Sequence, residues 1–410
     1  MKSAGKARNN GLYRHIRTSK EIIRNLLNDS YKNKTKVFFG KGGVREYLGC
    51  LLKNYGKTVM LAYGGGSIKR NGVYDEVASV LTEAGKQIVE FSGIMPNPTY
   101  EKVKEGAALA RETGVDLILA VGGGSVSDCC KVVAAQAKLD EDIWEAENVK
   151  HRYPAETIPL GVIVTVFGTG SEMNNGAVIT NEEKKIKGAL WGAQADFAFL
   201  DPCYSLSVPF KQVISGAFDT LSHAMETYFG KPDKNNLSDE IGEAVMRSVI
   251  RNIRVLLSDN ENYDARSELA WASATAENGY LKIGKVTDFQ AHMIEHQLGA
   301  YTNCNHGAGL AVIQPVLYRH LYKYNTERFA RFAENVWGIS PKKTARETAL
   351  AGVEALAAFV RETGLPTDFS ELGIPADTDL RAVAVSTVTT AGCCKKLTPD
   401  EIYEILLECK

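Results

Sequence analysis

The sequence predicts an α/β unit with a parallel sheet in the N-terminal half, followed by an all-helical unit. Three observations support this fold class. Short apolar runs alternate with helix-length amphipathic segments until Asp201-Pro202, and strand-like runs become rare afterwards. Two of the apolar runs end in the same tetrapeptide, Gly-Gly-Gly-Ser. Strands that alternate with helices imply right-handed crossover connections and therefore a parallel sheet.

The elements of the first half follow from these runs. We predict strands at 58–63, 87–91, 117–121 and 160–166, and helices at 73–84, 99–113 and 126–137. The run LILAV at 117–121 is apolar throughout, as expected of a parallel strand that is covered on both faces. The first helix places Val73, Val77 and Val80 on one side, which is the period of an amphipathic helix.

Long amphipathic segments fill the second half. We predict helices at 209–228, 237–257, 265–278, 289–301, 307–324 and 342–363. A last helix begins after Thr398, because Thr398 is a suitable N-cap, Pro399 suits the first helical position and Glu401 completes a capping box. The boundary between the two units is expected near residue 205, which gives domains at 31–205 and 206–410.

Bulk properties exclude several functional classes. A chain of 410 residues is long enough for two domains with separate cores. The formal net charge of −1 argues against nucleic acid or an acidic membrane as a partner. No apolar run approaches the roughly 18 residues that span a bilayer. Eight cysteines occur without a CxxC motif or a secretory signal, so we expect reduced thiols and a cytoplasmic location.

The first 30 residues differ from the rest in composition. Lysine and arginine are frequent there, and Glu21 is the only acid before Asp29. The segment lacks the Ser-rich, acid-free character of a transit peptide. We therefore predict a basic, disordered extension over residues 1–30.

The glycine-rich turns suggest a nucleotide. Gly-Gly-Gly-Ser follows the predicted strands at 64–67 and 122–125, and Gly-Thr-Gly follows a third at 168–170. Glycines let the backbone approach a phosphate closely, and the next helix offers free N–H groups. The G-x-G-x-x-G fingerprint is absent, and one such turn alone could be a tight connection without a ligand. Three in a single sheet favour a nucleotide-binding sheet.

A second group of residues suggests a metal ion. Asp219 and His223 are four residues apart on a predicted helix, so both project from one side, although such a pair could also form a surface hydrogen bond. His292 and His296 repeat the spacing, and His306 follows at the start of the next helix. Four of the seven histidines thus fall in two segments. The donor set suits Fe²⁺ or Zn²⁺, but the spacing does not decide which downstream histidines bind.

The position of His306 adds an expectation about its charge. Its predicted place at a helix N-terminus disfavours imidazolium. We therefore expect His306 to be neutral and available as a metal ligand.

Taken together, these motifs resemble those of iron-containing (group III) alcohol dehydrogenases, in particular the butanol dehydrogenase and NADPH-dependent aldehyde reductase branch. The resemblance extends from about Lys36 to the C-terminus. The motifs that carry it are YGGGSIK at 63–69, Pro-Asn-Pro at 96–98, AVGGGSVSD at 120–128, GTGSE at 168–172, Asp219-x-x-x-His223, His292-x-x-x-His296 and His306-Gly307.

The resemblance implies a reaction and a set of site residues. The expected reaction is hydride transfer between NADP(H) and a short- to medium-chain primary alcohol or aldehyde, in a dinucleotide-binding domain at 31–205 and a metal-binding domain at 206–410. The implied ligands of Fe²⁺ or Zn²⁺ are Asp219, His223, His292 and His306, and His296 would lie beside the nicotinamide. The implied nucleotide contacts are Gly65, Gly66, Ser67, Asn97, Gly123, Gly124, Ser125, Asp128, Thr165, Thr169, Asn174 and Lys187.

The preference for NADP(H) over NAD(H) depends on the first glycine turn. In the family, an acidic residue at this turn favours NAD by binding the ribose hydroxyls. Here the position is Ser67, with Lys69 and Arg70 close behind. A carboxylate would repel a 2′-phosphate, so its absence favours NADP(H).

Other functions of the same fold remain possible at the level of sequence. Glycerol dehydrogenases combine a similar sheet with a metal, as does dehydroquinate synthase, which would need a basic cluster that is not evident near Asp219 or His306. A catalytically silent metal-binding protein is a further alternative. The family resemblance also implies a homodimer formed through the N-terminal half.

Overall fold

A computed structural model describes residues 31–232 and 236–410 of the chain. The predicted basic extension at 1–30 lies outside the described residues. Within the described part, no helix is both long enough and apolar enough to cross a bilayer.

The N-terminal half is built on a parallel sheet, as predicted. The strands are β1 (Lys36–Phe39), β2 (Thr58–Tyr63), β3 (Gln87–Phe91), β4 (Leu117–Gly122), β5 (Leu160–Val164), β6 (Gly176–Asn181), β7 (Ile186–Trp191) and β8 (Phe197–Leu200). Six of the strands in the described residues form one sheet in the order β1-β8-β5-β4-β2-β3, and every pairing in it is parallel. All residues of β4, β5 and β8 are buried, which explains their uninterrupted apolar sequences.

Helices cover both faces of this sheet. They are α1 (Val73–Glu83), α2 (Tyr100–Thr113), α3 (Gly124–Gln136) and α4 (Ile143–Asn148), with short helical turns at Val44–Leu48, Gly49–Leu51, Leu52–Asn54, Ser67–Arg70, Ser171–Met173 and Pro202–Ser205. Thr99 caps α2 as predicted, since its side chain accepts a hydrogen bond from the backbone N–H of Lys102 at 3.3 Å. Separate apolar cores lie on the two faces of the sheet.

The strands β6 and β7 form an antiparallel hairpin outside the main sheet. This hairpin was not predicted from the sequence, and neither were β1 and β8. The hairpin packs against α3 and α8, and it carries Lys187 towards the helical half.

The C-terminal half is helical, as predicted. Its helices are α5 (Phe210–Tyr228), α6 (Leu237–Ser258), α7 (Tyr263–Glu277), α8 (Gln290–Thr302), α9 (His306–Leu321), α10 (Thr326–Asn335), α11 (Ala345–Thr363), α12 (Leu380–Ser386) and α13 (Pro399–Glu408), with short turns at Tyr280–Lys282, Tyr322–Tyr324 and Phe369–Leu372. The predicted capping box is present at the start of α13. A single large apolar core joins these helices, with the rings of Phe229 and Phe329 stacked 4.2 Å apart near its centre.

The strand order creates a crevice at the carboxyl end of the sheet. The chain passes from β2 to β3 on one side and from β4 to β5 on the other, so the connections diverge between β2 and β4. In open parallel sheets, ligands bind at this type of switch point. Both Gly-Gly-Gly-Ser turns follow these two strands. The turn after β5 closes the crevice towards the helical half, because the backbone N–H groups of Gly168 and Gly170 donate to the Ser273 hydroxyl of α7 at 2.9 and 3.1 Å.

Candidate metal and nucleotide site

Three helices bring the predicted metal ligands together. Asp219 and His223 lie on the buried side of α5, and His292 lies on α8. His306 is the first residue of α9, whose N-cap Asn305 accepts a hydrogen bond from the backbone N–H of Ala308 at 3.0 Å. The Asn305 side chain also accepts one from a serine hydroxyl of α5, which fixes the start of α9 against α5.

The ligand atoms converge on Asp219. Its Oδ1 lies 3.4 Å from Nε2 of His292 and 3.4 Å from Nε2 of His306. One ligand atom from each of these three residues lies within 4.8 Å of the others. Nδ1 of His223 is 3.6 Å from the same carboxylate oxygen, and the ring of His223 stacks on that of His292 at 4.4 Å. The structure therefore groups Asp219, His292 and His306 closely, with His223 beside Asp219 at the edge of the group.

Hydrogen bonding shows that these atoms fit a metal ion. Among the described residues, Oδ1 of Asp219, Nδ1 of His223 and Nε2 of His292 are buried and have no hydrogen-bond partner. Leaving such atoms unsatisfied costs about 1–3 kcal/mol each. Binding of one divalent cation by a carboxylate and imidazoles would satisfy all of them, and this donor set suits Zn²⁺ or Fe²⁺.

The electrostatics of the site depend on close carboxylate–imidazole contacts. Burial alone would raise the pKa of Asp219, but His223, His306 and His292 hold that pKa well below its usual range. Burial lowers the pKa of His223. Burial would also lower the pKa of His292, but Glu226 raises it to about 10. Each imidazole thus faces an anion on at least one side.

His306 differs from the expectation based on its helix position. A helix N-terminus should depress its pKa, and burial acts in the same direction. The pKa is nevertheless raised, because the Glu295 carboxylate contacts Nδ1 of His306. A full negative charge in contact outweighs the roughly half-unit positive charge of the helix terminus.

His296 lies beside the predicted metal ligands but is not part of the group formed by Asp219, His292 and His306. Its ring is 5.4 Å from that of His306 and 6.0 Å from that of His292, and its buried Nδ1 has no hydrogen-bond partner. Burial, followed by the charge of Lys187, lowers the pKa of His296 well below the usual range. His296, His306 and Glu295 could also group around a cation. The ammonium of Lys187 is 3.2 Å from Glu295, however, and its charge disfavours a second cation there.

The glycine turns after β2 and β4 line the crevice at the carboxyl end of the sheet and leave space for a ligand. A side chain at Gly65 or Gly66 would meet no atom within 4 Å, and Gly66 has a φ of +86°, which favours glycine. At the second turn, Gly123 precedes α3, and no side chain caps that helix N-terminus. A Cβ on Gly124 would lie 2.5 Å from the side chain of Thr169, so the turns after β4 and β5 pack tightly. Uncapped N–H groups next to open glycine backbone suit a phosphate.

Several predicted nucleotide contacts have protein partners of their own. The Asp128 carboxylate accepts hydrogen bonds from the Ser171 hydroxyl and from the backbone N–H of Val178. The amide oxygen of Asn174 accepts from the ammonium of Lys131 at 2.9 Å. These contacts join α3 to the segment after β5, which shapes the wall of the crevice.

The other predicted nucleotide contacts, Thr165, Ser67, Ser125 and Asn97, lie near the crevice on different structural elements. Thr165 is buried beside the second glycine turn, where its N–H donates to the carbonyl of Gly122 at 2.9 Å. Ser67 begins a helical turn directly after the first glycine turn, and Ser125 lies in the first turn of α3. Asn97 donates to the Asn303 side chain at 2.8 Å, so it links the sheet half to the loop before α9.

Lys187 forms a buried ion pair that was not predicted from the sequence. Its ammonium is 3.2 Å from Oε2 of Glu295, and both side chains are almost fully buried. In this arrangement the lysine faces the helix that carries His292 and His296.

Two residues of the site were missed altogether. Glu226 contacts Nδ1 of His292, and Glu295 contacts Nδ1 of His306. The available signal was their acidic character on otherwise buried sides of α5 and α8. Their partners could not be read from the sequence, since Glu226 and His292 are 66 positions apart.

Comparison with known proteins agrees with this geometry. Residues 34–202 match the family described as iron-containing alcohol dehydrogenase, and residues 213–409 match the C-terminal part of the Fe-containing alcohol dehydrogenase family. The chain belongs to the iron-containing alcohol dehydrogenase family. It is therefore an oxidoreductase with a nicotinamide cofactor and a metal site.

Individual relatives cover most of the chain. It is 39% identical over 387 residues to a probable NADH-dependent butanol dehydrogenase of Bacillus subtilis, covering 93% of this chain and 99% of the relative. It is 35% identical to an NADPH-dependent aldehyde reductase of Escherichia coli, covering 83% and 88% of the two chains. The crystal structure of an NADH-dependent butanol dehydrogenase of Thermotoga maritima superposes with a TM-score of 0.87 at 34% identity, covering 93% of this chain and 98% of that one.

Proposed function

We propose that this protein transfers hydride reversibly between NADP(H) and a short- to medium-chain primary alcohol or its aldehyde, at a site that holds Fe²⁺ or Zn²⁺. The observation that carries the proposal is the set of unpartnered donor atoms on Asp219, His223 and His292. His306 completes the set, with its Nε2 3.4 Å from the Asp219 carboxylate. The names of relatives support the substrate class, since they include butanol dehydrogenases and an aldehyde reductase.

The roles of the residues follow from their chemistry. When bound, the metal ion supplies Lewis acidity towards a carbonyl oxygen, and the nicotinamide supplies or accepts the hydride. Asp219 contributes one negative charge to the ligand set, while neutral imidazoles complete it without cancelling the charge of the cation. Reduction of an aldehyde consumes one proton in addition to the hydride. We assign the relay of this proton to His296, whose buried Nδ1 has no other partner.

We place the nucleotide phosphates on the second glycine turn. Gly123, Gly124 and Ser125 lead into the uncapped N-terminus of α3, at the switch point of the sheet. The first turn would lie beside the ribose of the adenosine half. Thr165, Thr169, Asp128 and Asn174 would shape the surrounding wall, as their hydrogen bonds within the protein indicate.

We also propose that NADP(H) is preferred over NAD(H). Ser67 is uncharged, and Lys69 and Arg70 follow it on the same helical turn. The nearby carboxylate of Glu90 is occupied, because it accepts hydrogen bonds from the Tyr63 and Tyr74 hydroxyls and from the ammonium of Lys69. Hydrogen bonds from Tyr63 and Tyr74 lower the pKa of Glu90 to about 2, so its carboxylate stays charged and Lys69 pairs with that charge. The preference therefore rests on the uncharged Ser67 and on the basic pair Lys69 and Arg70. The relatives include both NADH- and NADPH-dependent enzymes, so the preference needs a direct measurement.

A cofactor experiment follows from this argument. Replacement Ser67→Asp should raise KM for NADPH by at least about 10-fold, because a carboxylate near the 2′-phosphate adds charge repulsion, while KM for NADH changes little. The matched control is Ser67→Asn, which has a similar shape and no charge. Equal effects of Ser67→Asp on NADPH and NADH would contradict the assignment of this turn to the ribose.

A metal experiment tests the site separately. Asp219→Asn should abolish stoichiometric metal binding while NADPH binding persists, because the glycine turns are not altered. The control is Asp196→Asn, at a surface ion pair with Lys34, which should retain both. Metal content is measured by mass spectrometry after dialysis, and NADPH binding by its fluorescence. Unchanged metal content in Asp219→Asn would refute the assignment.

We propose a cytoplasmic location and a homodimer as the working form. The described residues include all eight cysteines and form no disulfide, consistent with a reducing compartment. Among the described residues, β1 lies at one edge of the sheet, a position at which a strand of a second copy can pair. Light scattering of the purified protein gives the mass in solution, and a monomer at micromolar concentration would contradict the dimer.

A further inference from the structure

Two buried carboxylates lie behind the imidazoles of the metal site. Glu226 contacts Nδ1 of His292 and Glu295 contacts Nδ1 of His306, and both acids are fully buried. A carboxylate at Nδ1 accepts a hydrogen bond from the ring N–H and thereby selects the tautomer with a free Nε2 lone pair. In both histidines, Nε2 faces the Asp219 carboxylate at 3.4 Å.

The two carboxylates are held in different ways. Glu226 accepts hydrogen bonds from the backbone N–H groups of Ala291 and His292 at 2.6 and 3.2 Å, so the helical half alone positions it. Glu295 instead meets the ammonium of Lys187 at 3.2 Å. Lys187 belongs to β7 and therefore comes from the N-terminal half. The orientation of His306 thus depends on a residue from the other half of the molecule.

The lysine–glutamate pair is closely packed, and the Cys304 thiol lies 3.7 Å from Oε1 of Glu295. Side-chain exposure is 4% for Lys187 and 0% for Glu295, so water does not screen the pair. A Cβ on Gly299 would lie 3.2 Å from Nζ of Lys187, and one on Gly309 would lie 3.0 Å from Cγ of Glu295. Glycines on α8 and α9 therefore provide the room that the two side chains occupy.

We propose that Glu295 is a positioning residue that orients His306 for metal binding, and that Lys187 holds Glu295 in place from the N-terminal half. The inference rests on the proposed metal site. It gives Lys187 a role that acts through Glu295 and His306 in the absence of any nucleotide. His306 needs such support more than His292, because its side chain is 23% exposed, compared with 3% for His292.

The test measures metal affinity without nucleotide or substrate. Metal-free full-length protein is titrated with Co²⁺ against a chromophoric chelator, for the wild type and for Glu295→Gln and Lys187→Met. Loss of a carboxylate behind a ligating histidine typically weakens metal binding by about 10–100-fold. We expect a loss in that range for Glu295→Gln, and a smaller loss in the same direction for Lys187→Met. The visible Co²⁺ spectrum of Glu295→Gln should also change, because the ring of His306 is no longer fixed.

A control separates positioning from general destabilisation. Glu147 is another buried carboxylate, and it accepts a hydrogen bond from the backbone N–H of Trp191 on the same strand as Lys187. Glu147→Gln should leave Co²⁺ affinity within about twofold of the wild type. If Glu295→Gln fails to fold, Glu295→Asp provides the same comparison. It keeps a negative charge that the long, flexible side chain of Lys187 can follow, but it withdraws the carboxylate from the ring of His306, which is fixed at the start of α9.

The possible outcomes are distinct. If Glu295→Gln binds Co²⁺ as tightly as the wild type and shows the same spectrum, Glu295 is only a structural partner of Lys187 and the proposal is wrong. If Lys187→Met changes NADPH affinity but leaves Co²⁺ affinity untouched, Lys187 acts on the nucleotide instead. If the wild type itself binds no Co²⁺, the proposed metal site fails together with this inference.

Discussion

Gly307 follows His306, a predicted metal ligand, and lies where α9 begins against α5. A Cβ at this position would lie 2.1 Å from the carbonyl oxygen and 2.7 Å from the hydroxyl of Ser215. Ordinary contacts of this kind exceed about 3 Å, so Gly307→Ala must separate the two helices locally by about 1 Å. The helices α5 and α9 carry Asp219 and His306, whose ligand atoms are 3.4 Å apart. Metal sites tolerate deviations of only about 0.2 Å, so a shift of this size should disrupt the site.

The expected result is a loss of metal affinity that is larger than the loss of stability. Overpacking should lower the free energy of unfolding by about 1–3 kcal/mol, which leaves a folded protein. We expect Co²⁺ or Zn²⁺ affinity to fall by at least about 100-fold, a loss of roughly 2.7 kcal/mol. Chelator competition gives the affinity, and urea unfolding of the metal-free protein gives the stability.

Gly242→Ala is the matched control. Gly242 is a helical glycine in α6 at which a Cβ would meet no atom within 4 Å. This replacement should leave metal affinity unchanged and stabilise the protein by about 0.5–1 kcal/mol, because alanine favours the helix. Wild-type metal affinity in folded Gly307→Ala would refute the argument that close packing of α9 on α5 sets the ligand geometry.

Three further predictions concern catalysis and stability. His296→Ala should lower kcat for aldehyde reduction by about 10²-fold or more while metal content stays near normal, and loss of the metal would instead identify His296 as a ligand. Burial raises the pKa of Glu172 to about 7, so the folded protein loses stability as the pH rises from about 4.3 towards 7. Glu172→Gln should therefore gain stability relative to the wild type between pH 5 and pH 8, by up to about 3 kcal/mol, and an equal difference at both pH values would be inconsistent with this pKa. Thr398→Ala removes the N-cap of α13 and should cost about 1 kcal/mol in urea unfolding, whereas Thr398→Ser should not.

Local signals predicted much of the fold. The strands Thr58–Tyr63 and Gln87–Phe91 have the bounds that their apolar runs indicated. The N-caps Thr99 and Thr398 were predicted from residue type, because a hydroxyl before a helix can satisfy a free N–H group. Helix ends were less accurate: α9 ends at Leu321 rather than at residue 324, because a separate helical turn occupies Tyr322–Tyr324.

Elements that depend on distant partners were missed. The strand Phe197–Leu200 has only four residues, and it is defined by its pairing with β1 and β5. The hairpin of β6 and β7 is joined by a charged turn in which Lys185 has a positive φ, a geometry that its residue type does not indicate. The helix Thr326–Asn335 was also missed, although half of its residues are buried against the helical core.

In the site, too, features within one helix were predicted, whereas contacts between separate elements were not. The spacing of Asp219 and His223 predicted that both would project from one side of a helix, and the structure places them so. The contacts of Glu226 and Glu295 with the histidines depend on how separate helices pack, which the sequence pattern did not reveal. The buried position of Lys187 against Glu295 likewise depends on the hairpin that was not predicted.

Metal reconstitution and cofactor choice can be measured in a single assay of the proposed reaction. Metal-free protein is reconstituted with Fe²⁺ or Zn²⁺, and butyraldehyde reduction is followed with NADPH and NADH side by side, with glycerol oxidation measured in parallel. We predict activity that requires the metal, uses butyraldehyde, and proceeds faster with NADPH than with NADH. Activity with NADH alone would contradict the preference assigned to Ser67 while leaving the metal site intact. No activity on any of these substrates with either metal would contradict the proposed function itself.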